Sequence, residues 1–218
     1  MKIAVIGATG YVGNAVVKEL AARGHKVTAF ARNTDKVFAA DNVTAVAADV
    51  TAADFADKLQ GLDEVVTASN PGWNNLTPGA AGANGAAAIT EASKAAAVPY
   101  LLVVGGAGSL FVNAEHSLRL IDTPEFPDVY KPIASNQGQN LQDLQAASDL
   151  NWVFLSPAAF FDPAGKRTGR YTLGGDELLL NSEGNSYVSY ADYAVAMIDE
   201  ATAPKHLNQR FSIVGETA

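Results

Sequence analysis

The chain has 218 residues, 48% of them hydrophobic and 17% charged, with a formal net charge of −8 and no cysteine. This composition suits a single globular domain over 1–218 and argues against a nucleic-acid partner or a basic membrane patch. Without cysteine there are no disulfides, thiolate nucleophiles or cysteine-held metals. His25, His116 and His206 are too far apart for metal-ligand spacing, so no metal site is expected.

The apolar run Ile3–Ile6 is short and enters a glycine-rich turn, unlike a secretory leader. No apolar stretch reaches the roughly 18 residues of a membrane span, so a cytoplasmic protein is expected.

Ile3–Ile6 reads as a buried strand, and Tyr11–Arg23 as a helix with Val12, Ala15, Val16 and Leu20 on one face. Gly24 suits the position just past that helix. Lys26–Ala31 is a second strand. Asn33 or Thr34 would cap a short helix before a third strand, Val43–Ala48. Thr51-Ala-Ala-Asp54 has the form of a capping box, predicting a helix that stops at Gly61. Glu64–Ser69 is a fourth strand. Pro71–Gly85 reads as a loop or irregular helix start, and Ala86–Ala97 as an alanine-rich helix.

Tyr100–Val104, the helix Gln137–Ser148 and the strand Trp152–Ser156 complete the alternation. Strands alternating with helices predict right-handed crossovers: an α/β, Rossmann-type, doubly wound parallel sheet. After Pro157, Arg170–Leu173 and Leu178–Leu180 flank Gly174-Gly175 as a candidate hairpin. Ser189-Tyr-Ala-Asp192 would open a helix, and Arg210–Val214 is a last strand. Residues 157–218 are expected to form a small capping region on the substrate side of the sheet.

Gly7-x-x-Gly10-x-x-Gly13 is the most informative motif. It lies between a buried strand and an amphipathic helix, where glycines let a pyrophosphate approach the backbone and the helix start receives the anion. Gly7, Thr9, Gly10, Tyr11 and Val12 are therefore candidate cofactor-binding residues. The second strand ends Ala31-Arg32-Asn33, with no carboxylate for a ribose 2′-hydroxyl. Arg32, helped by Lys36, suits a 2′-phosphate, which favours NADP(H) over NAD(H). The alternative is two surface cations, paired with Asp35.

Further candidates are Ala68, Ser69 and Asn70 after the fourth strand, Val104, Gly105 and Gly106 after the fifth, and Ser156 and Pro157 after the sixth. Short-chain dehydrogenases use a Tyr-x-x-x-Lys pair as proton donor. Four positions after the seven tyrosines stand Ala15, Val104, Ala134, Gly175, Ala191, Ala194 and Met197, so that pair is absent. Reduction of a flavin or quinone yields a delocalised anion that solvent can protonate. A planar acceptor of that kind, FMN or FAD among them, fits the gap. Gly105, Gly106 and Gly108 either leave an open face for such a ring or serve a tight turn.

Several segments carry a family resemblance: Gly7-Ala-Thr-Gly-Tyr-Val-Gly13, Val103-Val-Gly-Gly-Ala-Gly-Ser-Leu110, Trp152–Pro157, Gly165–Tyr171, Ser189–Ala194 and His206–Phe211. On these the chain resembles the atypical short-chain dehydrogenases known as NADH-flavin reductases. They stand within a wider NAD(P)H-binding group related to biliverdin reductase B and NmrA-like proteins. The resemblance implies a Rossmann core, NADP in the groove and a pocket roofed by the C-terminal segment. It also implies an adenine contact at Asp49-Val50, although Asp49 reads nearly as well as a turn acid.

Catalytic candidates are weak: Ser109 comes late after the glycines, Tyr130 lies near the place of the lost tyrosine, and His116 follows the same loop. Lys166, Arg167 and Arg170 form a basic cluster suited to a substrate phosphate or to a solvated loop. Trp73 reads as a platform at the pocket mouth or as packing. Of Phe160 and Phe161, one is expected to line the pocket and the other to be structural. The expected function is an NAD(P)H-dependent reductase of a planar acceptor; the alternative is an NADP-binding redox sensor without turnover. Whether the chain is a monomer or a dimer is left open by the sequence.

Overall fold

Alternate residues of the first strand face two different cores, as a sheet covered on both sides requires. In the computed structural model, which describes residues 1–69 and 81–217, Ile3 and Val5 of β1 (Lys2–Ile6) pack into one core. Ala4 and Ile6 pack into the other. The first core is closed by α1 (Tyr11–Ala22) and α5 (Tyr190–Thr202). The second is closed by α2 (Phe55–Leu59), α3 (Ala81–Ala95) and α4 (Lys131–Ala146).

The remaining strands are β2 (Lys26–Ala31), β3 (Val43–Ala47), β4 (Glu64–Thr67), β5 (Leu101–Val104), β6 (Trp152–Ser156), β7 (Phe160–Asp162), β8 (Tyr171–Gly174), β9 (Tyr187–Ser189) and β10 (Gln209–Gly215). The main sheet runs β3-β2-β1-β4-β5-β6-β10-β8. All its pairings are parallel except β10 with β8. The order from β3 to β6 is that of a dinucleotide-binding sheet, with its switch point between β1 and β4. β7 and β9 form a separate parallel pair.

The C-terminal segment is stitched to this sheet. Ser189 Oγ accepts the Asp192 backbone N–H at 2.9 Å, so the predicted cap opens α5. Fully buried Tyr193 donates its hydroxyl to the Leu155 carbonyl at 2.7 Å, fixing α5 to β6. Asp192, also fully buried, accepts the Thr168 and Gly169 backbone N–H groups and the Thr168 hydroxyl. The Arg-Thr-Gly and Ser-Tyr-Ala-Asp motifs are thus two halves of one clamp.

Five local expectations are corrected. Residues after Asn33 form turns rather than a helix, with Asn33 Oδ1 accepting the Asp35 N–H. The box at Thr51 does not cap α2, because Thr51 turns back to donate its N–H and hydroxyl to Asp49. α3 begins at Ala81, inside the glycine-rich stretch, and α4 begins six residues before Gln137, with Pro132 tolerated in its first turn. The hairpin does not form. β8 pairs with β10 instead, and the Leu178 N–H goes to the Phe111 carbonyl.

Candidate functional site

The phosphate loop is shaped by close backbone approaches. Gly7 has φ +81°, and a Cβ there would lie 2.8 Å from the Ala68 carbonyl oxygen. A Cβ on Gly13 would lie 2.2 Å from the Gly7 carbonyl oxygen, so any side chain at Gly13 would force loop and helix apart. Gly10 is the N-cap of α1, without a side-chain cap or an acidic residue in the first turn. The N–H groups and positive dipole end of α1 are left for an anion. Thr9, Gly10 and Tyr11 border a large open groove with Lys36 and Tyr190. Tyr11 is 76% exposed, with its ring 6.4 Å from that of Tyr190.

On the β2 side, Arg32 and Lys36 are exposed. Arg23, Arg119, Arg167 and Arg210 each have a carboxylate partner. Arg32 and Lys36 make no ion pair among the described residues, with Asp35 or otherwise. Asp49 stands at the tip of β3 as a turn acid. The N–H and hydroxyl of Thr51, and then the charge of Arg32, hold its carboxyl below the usual range. Val50 beside it is half-buried against the second core.

At the other side, Gly7 meets Ala68 at the tip of β4, and the Gly105 N–H donates to the Leu155 carbonyl at 2.9 Å, joining the tips of β5 and β6. Ser69 and Val104 share a narrow cleft with Thr67 and Thr90 and with Asn136, Gln137 and Asn140 of α4. Its enclosed part holds about 40 Å³, room for one or two small polar groups. No lining side chain among the described residues is an acid or a base in water. Asn70 and Trp73 lie outside the described residues. The Ser156 side chain is fully buried, and neither its hydroxyl nor that of Ser212 beside it on β10 has a hydrogen-bond partner among the described residues. Pro157 follows it, buried.

The glycines after β5 answer a question left by the sequence. None of Gly105, Gly106 or Gly108 has positive φ, and none leaves its side-chain face open. A Cβ on Gly105 would lie 2.2 Å from the Phe154 ring, one on Gly106 2.0 Å from Gln137 Oε1, and one on Gly108 2.8 Å from Ala134 Cβ. They are there for close packing.

Two of the weak catalytic candidates, Ser109 and His116, are engaged elsewhere. Ser109 accepts hydrogen bonds from Arg210 through its carbonyl and hydroxyl, at 2.8 and 3.2 Å. His116 stacks on Phe111 and pairs with Glu177 at 2.5 Å. Tyr130 stands exposed at the start of α4. In the basic cluster, Arg167 is held by Glu19 through two bonds of 2.9 Å, while Lys166 and Arg170 form no ion pair among the described residues. Arg167 first, then Arg23, holds the Glu19 carboxyl below its ordinary range against opposing burial. Phe161 packs against Tyr190 and Tyr193, and Phe160 is the exposed member of the pair.

Of the carboxamides of α4, Gln137 and Asn140 fall inside the helix expected from the sequence, while Asn136 lies in the turns that precede it. Taken from Lys131, the spacing of Asn136, Gln137 and Asn140 puts three neutral hydrogen-bonding groups on adjoining turns.

Comparisons with known proteins agree with this geometry. The chain is 50% identical to YwnB of Bacillus subtilis (strain 168) over 218 residues, 99% of each chain. A crystal structure from Streptococcus pneumoniae TIGR4, provisionally named a NADH-flavin reductase, is 37% identical with TM-score 0.86, covering 99% of this chain and 100% of that one. A Bacteroides thetaiotaomicron protein, provisionally named an epimerase, is 38% identical with TM-score 0.89, covering 100% and 98%. The family described as NAD(P)H-binding matches residues 7–204, from the first glycine of the phosphate loop to just beyond α5, and the chain belongs to that family.

Proposed function

We propose that the protein is an NAD(P)H-dependent oxidoreductase that passes hydride to a flat, delocalised acceptor such as a flavin or quinone. The observation that carries this reading is that, among the described residues, no side chain lining the cleft at the β4 and β5 tips is an acid or a base in water. A simple ketone becomes a localised alkoxide on reduction and needs a proton donor beside it. A flavin or quinone spreads the charge over the ring and takes its proton from water. The acceptor would lie over the strand tips, stacked on the nicotinamide and open to solvent. The provisional name of the Streptococcus pneumoniae structure points the same way.

The phosphate loop would hold the pyrophosphate, with the adenosine half over β2 and the nicotinamide half over β4 and β5. The cofactor itself supplies the hydride; the chain's residues bind and orient it. Arg32 and Lys36, without carboxylate partners among the described residues, would hold a 2′-phosphate and favour NADPH. Lys166 and Arg170 are the cluster members left to meet an FMN phosphate.

The test is NADPH oxidation with FMN, FAD and simple quinones, for the natural chain and for Arg32→Ala. Saturable turnover, with a KM for NADPH raised about tenfold or more in the variant and a KM for NADH unchanged, is expected. Tight NADPH binding without reduction of any acceptor would instead assign the chain to redox sensing, and the search would turn to a protein partner.

A further inference from the structure

Gln137 stands where α4 touches the strand tips over which a nicotinamide would pass. Its Nε2 donates to the Gly105 carbonyl at 3.2 Å. Its Oε1 lies where a Gly106 side chain would begin, 2.0 Å from that Cβ position. The same carboxamide lines the cleft shared with Ser69 and Val104, whose size admits a hydroxyl or an amide group. Among the described residues, Oε1 receives no hydrogen bond.

We infer that Gln137 is a positioning residue for the nicotinamide half of the cofactor. This rests on the oxidoreductase reading and deepens it. Nε2 anchors the side chain to the β5 tip, and Oε1 accepts a hydrogen bond from the cofactor entering the cleft. Gly106 is a glycine so that the carboxamide can lie flat against the backbone between these two tasks. A neutral amide is suited to orienting a donor without exchanging protons with it. Binding through Gln137 therefore carries no titration of its own between pH 6 and 9.

The experiment compares ligands with and without a nicotinamide half: NADPH against 2′,5′-ADP, and NADH against ADP, each by calorimetry. The proteins are the natural chain, Gln137→Met, which keeps bulk but no acceptor, and Gln137→Glu, which keeps the acceptor but loses the donor to Gly105. Gln137→Met is expected to bind NADPH about tenfold more weakly while binding 2′,5′-ADP as the natural chain does. Gln137→Glu is expected to recover a good part of that loss. Equal weakening of both ligands, no weakening of either, or a glutamate variant as poor as the methionine one overturns the inference and leaves the oxidoreductase reading standing. A natural chain that binds none of the four ligands overturns both.

Discussion

Gln137 and Gly106 share one volume, because the carboxamide oxygen of the first sits 2.0 Å from where the second would carry a Cβ. The partner at this tight contact is the far end of a flexible side chain. At Gly13 it is the rigid Gly7 carbonyl, 2.2 Å from the missing Cβ. Similar distances therefore predict different outcomes.

Gly106→Ala should swing the Gln137 carboxamide aside and cost less than about 1 kcal/mol of stability. Gly13→Ala should separate α1 from the phosphate loop and cost about 2–3 kcal/mol or more. Urea unfolding of the two variants checks this. Equal costs would mean that the loop yields as easily as a side chain.

Glu64 should make stability fall as pH rises from about 4.5 to about 8. It begins β4 almost fully buried, with Oε2 unpartnered among the described residues. Burial, and then the nearby Asp63 and Glu200 carboxylates, pushes its carboxyl up to about 8, against the N-terminal amine. The folded state thus holds a proton that the unfolded chain releases near its ordinary value of 4.5. Its contribution is full below that value and is lost as pH rises through about 8. Glu64→Gln should flatten thermal stability between pH 6 and 9 and raise it at pH 9 by on the order of 2 kcal/mol. An unchanged pH profile would contradict the assignment.

Asp192→Ala should open the clamp on residues 168–169. Three donors would lose a fully buried carboxylate. A loss of about 2–4 kcal/mol is expected, with faster amide exchange at Thr168 and Gly169. Protection that persists at those amides would show that the loop is held by other means.

Arg167→Ala should weaken the protein by no more than about 1 kcal/mol, because Glu19 keeps its bond to Arg23. The KM for FMN should stay unchanged. A raised KM for FMN would return Arg167 to the role of a phosphate ligand.

The sheet and its phosphate loop were legible because they rest on local signals. Apolar runs such as Lys26–Ala31 and Trp152–Ser156 match observed strands residue for residue, and Gly7, Gly10 and Gly13 announce their loop by spacing alone. What was not legible depends on partners distant in sequence. Thr51 looks like a cap until Asp49 takes it, and β8 looks like half a hairpin until β10 arrives from nearly forty residues later. The glycines after β5 suggested either an open face or a tight turn. Phe154 and Gln137, which fill those faces, come from a later strand and a later helix. Arg167 read as a free cation because Glu19 lies 148 positions away.

The place of β10 also governs how the chain is made. Gln209–Gly215 is threaded between β6 and β8, both of which precede it in sequence. On the ribosome, the outer edge of Trp152–Ser156 stays bare until some fifty further residues have been synthesised. During that interval it offers unpaired, strongly apolar backbone to any passing strand. A nascent chain stalled before residue 209 should accordingly depend on chaperones far more than one released after residue 215.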